Sequence, residues 1–149
     1  MAYQHFSAPD VTIPVNLVIV GDCFIAADYL RGGTFDAAAA RAAEAFFSVE
    51  PYTTYREYFS VYKVVAYSEE QGATVTRDFS DGKVKAQQKN TVFGSVFEGG
   101  QSTGITCDEN AVFEYAQKVP EVRQAGIDNT TVIVIINLDV YAGTTSMWS

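Results

Sequence analysis

Two carboxylates close the two most apolar runs of this chain. Val15, Asn16, Leu17, Val18, Ile19 and Val20 lead through Gly21 to Asp22, and Thr131, Val132, Ile133, Val134, Ile135, Ile136, Asn137 and Leu138 lead to Asp139. If the two runs are neighbouring strands, Asp22 and Asp139 lie together, where they could bind a divalent cation or raise one another's pKa. Acids at strand ends serve equally well as turn formers and helix caps. A second motif with chemical content is Gly99, Gly100, Gln101, Ser102, Thr103, Gly104, Ile105 and Thr106, which has the glycine spacing of a phosphate-cradling loop. Ile105 stands where that loop needs a lysine against the outer phosphates, which leaves a degenerate loop or an ordinary flexible one. Nucleophile signatures are absent from the sequence. No serine sits in GxSxG, Cys23 has no histidine partner, and HExxH does not occur. The single histidine, His5, reads as a solvated side chain of the lead-in, because a metal site needs several converging ligands.

The elements that must position these residues follow from periodicity. Residues 131–139 are apolar on both parities and too short for a membrane span, the pattern of a central parallel strand covered on both faces. Strands are expected near residues 15–20, 59–67 and 131–138, and helices near 34–48 and 107–119. Thr34 can cap the first helix, with Asp36 in its opening turn and Phe35, Ala39, Ala42, Ala43 and Phe46 on one buried face. Thr106 and Glu109 have capping-box spacing before a stripe of Val112, Tyr115, Ala116 and Val119, and Pro120 can open a further turn that ends at Gly126. A strand, helix and strand in that order make a crossover between parallel strands. The fold class is therefore α/β, three-layered, with a largely parallel sheet and crossover helices. Ligands of such sheets sit outside the carboxyl ends of the strands, where Asp22 and Asp139 fall.

The chain of 149 residues suits a single α/β domain, 1–149, in which residues 68–104 form a hairpin or insertion around the Asp81-Gly82 turn signal. A hydrophobic content of 48% with ten Phe and nine Tyr is too apolar for disorder. The formal charge of −8 repels phosphates and anionic lipid, which argues against nucleic-acid binding. No stretch is long enough for a membrane helix, and the first ten residues lack the pattern of a signal peptide. Cys23 and Cys107 have no metal-ligand spacing and read as buried free thiols in preference to a disulfide.

Four segments carry a family resemblance: Val15 to Asp22, then Phe46-Phe47-Ser48-Val49-Glu50-Pro51-Tyr52, then Tyr55-Arg56-Glu57-Tyr58-Phe59-Ser60-Val61-Tyr62, and Val132 to Asn137. Together they resemble the amino-terminal part of the catalytic domain of IgA-specific zinc metallopeptidases, over roughly residues 15–143. The resemblance implies a secreted or surface-exposed bacterial hydrolase, a peptide or protein substrate, and zinc in full-length members. In such sites two histidines one helical turn apart hold the metal and the intervening glutamate activates water. In the family pattern the zinc helix follows the region 141–149, so no catalytic residue and no zinc ligand carries over onto this sequence. The chain reads as the scaffold half of such a domain, inactive alone, with Tyr141 and Gly143 placed beside Asp22 and Asp139 as cleft or ligand residues. A half-domain of this kind exposes an apolar edge and self-associates. The alternative is a small non-enzymatic α/β binding module.

Overall fold

The computed structural model describes residues 15–140. Three strands, β1 (Val15–Asp22), β2 (Phe59–Val64) and β6 (Thr130–Ile136), form a parallel sheet in the order β2-β1-β6. Val18 of β1 lies opposite Tyr62 on one side and Val132 on the other. The crossover from β1 to β2 carries α1 (Thr34–Phe46), while α2 (Glu109–Ala116) and α3 (Pro120–Ala125) precede β6.

Side-chain alternation along the strands sorts the core into two halves. Leu17 and Ile19 point with Phe59 and Val61 toward Phe35 and Ala39 of α1. Val18 and Val20 point with Tyr62 and Val64 toward Val112 and Ala116 of α2, Val119, and Val122 of α3. Helices thus cover both faces, which makes the three layers expected from the sequence. Both-parity apolarity in β6 has the same cause: Ile133 and Ile135 join one half of the core, Val132 and Val134 the other. The expectation that this run is the central strand needs correction. Among the described residues β1 is central and β6 pairs on one side only, because being covered on both faces does not require being paired on both edges.

Element ends shift for identifiable reasons. Gly33 takes the N-cap position of α1, and Thr34 is already helical. Asp108, with its side chain accepting from the Ala111 N–H at 3.1 Å, caps α2, because Thr106 is held in a strand. Asn137 leaves β6 by donating its N–H to the Asp22 carbonyl at 3.1 Å.

Residues 74–106 build a second, smaller sheet of β3 (Thr74–Val75), β4 (Val96–Gly99) and β5 (Ser102–Thr106), in which β3 and β4 are parallel and β4 and β5 antiparallel. The Asp81-Gly82 turn forms, with the Gly82 N–H on the Phe79 carbonyl at 3.0 Å. Its two arms meet in one bridge, Val75 to Gln87, since β3 gives its other edge to β4. The glycine motif at residues 99–104 is the β4–β5 turn and the start of β5, with Gly100 at a φ of +65° in the first turn position, where hairpins favour glycine. No helix among the described residues is long and apolar enough to cross a membrane.

Candidate functional site

The carboxyl end of β1 is where sequence and fold converge. A Cβ added to Gly21 would fall 2.6 Å from the Phe24 ring and 2.8 Å from the Phe35 ring, so glycine is what lets those two aromatics close over the strand. They meet edge to face with centroids 5.4 Å apart. One residue further on, alternation turns Asp22 toward the opposite face, where it is fully buried.

Its carboxylate accepts five hydrogen bonds. Oδ1 takes the Cys23 N–H at 2.8 Å, the Ser68 hydroxyl at 3.1 Å and the Phe93 N–H at 3.3 Å. Oδ2 takes the Ser95 N–H at 3.0 Å and the Thr91 hydroxyl at 3.1 Å. Burying a carboxylate is costly unless it is met by donors of this number and kind. Ser68 Oγ also accepts the N–H groups of Cys23 and Val92, at 3.2 and 3.0 Å, so one hydroxyl links three segments. From β6, the Asn137 side-chain amide donates to the Cys23 carbonyl at 3.2 Å. Cys23 itself adopts a φ of +71°, a left-handed conformation that side chains other than glycine take at a cost of about 1 kcal/mol. Burial, followed by the neighbouring Asp22 carboxylate, pushes the Cys23 thiol up to about 12. Cys107 is half-buried and is raised too, again chiefly by burial, and both cysteines are free thiols.

A second buried acid lies close in sequence. Asp28, in the single helical turn Ala26–Tyr29, accepts the Ile25 N–H at 3.0 Å and receives the Gln71 amide on both oxygens, at 3.0 and 2.9 Å. Tyr29 beside it donates its hydroxyl to the Ala66 carbonyl at 2.7 Å, and burial pushes its pKa upward.

Over this end of the sheet sits the smaller sheet as a roof. Cys23 packs with Ala73, Val75 and Phe97, and Ile136, Leu138 and Val140 border the same cluster. Of the candidate residues, the structure ties Asp22 to the exit of β6 through Asn137, while Asp139 is exposed beyond the strand. Tyr141 and Gly143 lie outside the described residues. Sequence reasoning missed Ser68, Thr91, Ser95 and Asp28. The hydroxyl residues stand in loops with no periodic signal, and only Asn137, polar at the end of an apolar run, announces itself.

The geometry defines a class: a three-layer α/β scaffold whose parallel sheet is fastened at its carboxyl edge to a roofing sheet by a buried acid. The family model described as IgA Peptidase M64 matches residues 6–148, nearly the whole chain, and the chain belongs to that family. No curated protein matches it.

Family membership implies zinc in full-length members. Among the described residues no three His, Cys, Asp or Glu side chains gather so that they could hold a metal ion. Asp22 and Asp28 already have protein donors on both oxygens. These residues do not fit a zinc centre.

Proposed function

We propose that this chain is the scaffold portion of a secreted zinc metallo-endopeptidase acting on a peptide or protein substrate, and that alone it hydrolyses no peptide bond. The observation that carries the reading is the family match over residues 6–148. It is supported by a sequence with one histidine and no HExxH, from which the paired imidazoles of such a centre cannot be drawn. On this reading Asp22 serves the scaffold. Its oxygens are saturated by hydroxyl and backbone donors, and its task is to hold the roof on the sheet. Asp139, with Tyr141 and Gly143 after it, belongs to the substrate side.

Calorimetric titration of the 149-residue chain with zinc, together with peptide-cleavage assays, tests the reading. The expected result is no saturable tight zinc binding and no specific cleavage. Tight stoichiometric zinc uptake with cleavage would overturn it.

A further inference from the structure

Of the nine aspartates in the chain, Asp81 alone is followed by glycine. A carboxyl group one bond beyond Cβ can be attacked by the amide nitrogen of the next residue, closing a five-membered ring, and a side chain on that next residue is the main steric obstacle to the approach. Gly82 has none, and a Cβ built there would meet nothing within 4 Å, so the surroundings leave the peptide room to rotate. Both residues are exposed at the tip of the roof's turn. The Lys83 N–H donates to Asp81 Oδ1 at 2.9 Å, an Asx-type bond that closes a ring of atoms containing the Gly82 nitrogen. It folds the carboxyl back over the amide that would attack it and draws electrons from its carbon. One bond opposes the reaction, from the Gly82 N–H to the Phe79 carbonyl at 3.0 Å. Opening that single exposed bond is a local event of the kind loop tips undergo readily. The other acids of the site and roof are held differently. Asp22 and Asp28 are buried with donors on both oxygens, and Asp78 is followed by Phe79 and turned to the far arm, where it accepts the Ala86 N–H at 2.7 Å.

We propose that Asp81-Gly82 is a site of spontaneous covalent modification, at which the aspartate isomerises to isoaspartate through a succinimide and so loosens the roof. The Gly82 nitrogen bonds to Asp81 Cγ, and one carboxyl oxygen leaves as water with the amide proton and the carboxyl proton. Water then opens the ring. Cleavage between the nitrogen and Cγ restores aspartate; cleavage between the nitrogen and the main-chain carbonyl carbon leaves the chain running through Cγ, with a free carboxylate on Cα. Water is the only co-reactant. The product carries one more methylene in its main chain, inside the turn closed by the Gly82 N–H on the Phe79 carbonyl and by the Phe79 N–H on the Val84 carbonyl at 2.8 Å. Phe79 borders the roof's cluster of Cys23, Ala73, Val75 and Phe97 and bridges to Gly100, so the change reaches the roof and leaves the parallel sheet in place. The proposal is independent of the peptidase reading.

The 149-residue chain, kept at neutral pH and body temperature for several weeks in water labelled with heavy oxygen, tests it. Trypsin cuts after Arg77 and Lys83 and releases residues 78–83 as one peptide. A second form of that peptide is expected to grow with time, separable by chromatography, carrying one heavy oxygen, and assigned to position 81 by backbone fragmentation. Gly82→Ala slows its appearance about fivefold or more, since the added methyl blocks the approach. Asp81→Glu keeps the charge and abolishes it, because a six-membered ring closes far more slowly. Hydrogen exchange on the isomerised chain, which needs no variant, shows faster exchange at Phe79 and Gly82 and unchanged exchange in β1. No heavy oxygen in the peptide, isomerisation at Asp78 or evenly over the other aspartates, a rate indifferent to Gly82→Ala, or undisturbed exchange at Phe79 would each overturn the proposal.

Discussion

At its carboxyl end β1 delivers a buried carboxylate to donors from residues 23, 68, 91, 93 and 95, whereas at its amino end the equally buried Asn16 donates a 3.4 Å bond to the Glu121 carbonyl and its Oδ1 meets no donor among the described residues. The two side chains lie six residues apart on one strand and share a face. They differ in what surrounds them. Asp22 meets loop segments that bring polar donors to it alongside the buried Phe93, while Asn16 sits beneath α3, which Val122 already anchors in the core. At the carboxyl end a dense set of hydrogen bonds adds to apolar contact, and at the amino end apolar contact carries nearly all of the hold, so substitutions of the two polar side chains should behave differently.

The largest effect is expected from Asp22→Ala. It strands three backbone N–H groups and two hydroxyls in a buried space, at a cost of about 3 to 5 kcal/mol, read from urea unfolding. The same variant should expose Cys23 to a thiol reagent that, in the unsubstituted protein, reaches half-buried Cys107 first. Ser68→Ala comes next, at about 1 to 3 kcal/mol, since it removes one donor to Asp22 and the acceptor of two N–H groups. Asn16→Val should change stability by less than about 1 kcal/mol in either direction, because a long, weak bond and an unpartnered oxygen disappear together. If Asn16→Val costs as much as Ser68→Ala, the contrast between the two ends is lost.

An ion pair at neither end sets the lower limit. Asp36 is held below the usual carboxylate range by the Gly32 N–H first and by Lys63 second. A lowered folded-state pKa contributes stability that is present above the ordinary carboxylate pKa and lost as pH falls through the depressed value. Asp36→Asn should therefore cost well under about 1 kcal/mol at neutral pH, given its partial exposure, and the difference from the unsubstituted protein should vanish in acid. Unfolding curves at several pH values check both statements.

Periodicity reached the elements that bury a stripe or a face: β1, β2, β6, α1 and α2 lie within a few residues of their expected places. It did not reach the roofing sheet. Thr74 and Val75 pair with Val96 and Phe97, twenty-two residues away, and a two-residue strand carries no period to read. The one-sided pairing of β6 among the described residues was equally hidden, since its composition reports the cover on its faces and is silent about its edges. At the candidate site Asp22 was legible as an acid ending an apolar run. Its five donors were not, because serine, threonine and backbone N–H groups in loops look alike until the fold selects among them.

The pairing of β1 with β6 joins Asn16 to Thr130 and Asp22 to Ile136, across more than a hundred residues of intervening chain. A polypeptide leaving the ribosome makes the middle strand of this sheet more than a hundred residues before that strand's second neighbour. Until then, Leu17 through Val20 can zip to β2 alone, and the other rim of that nascent pair stays sticky. Folding that waits on so distant a contact is slow. Synthesis of this chain is therefore a race between the arrival of residues 130–136 and capture of the waiting rim by other unfinished chains, and chaperone demand should fall once those residues emerge.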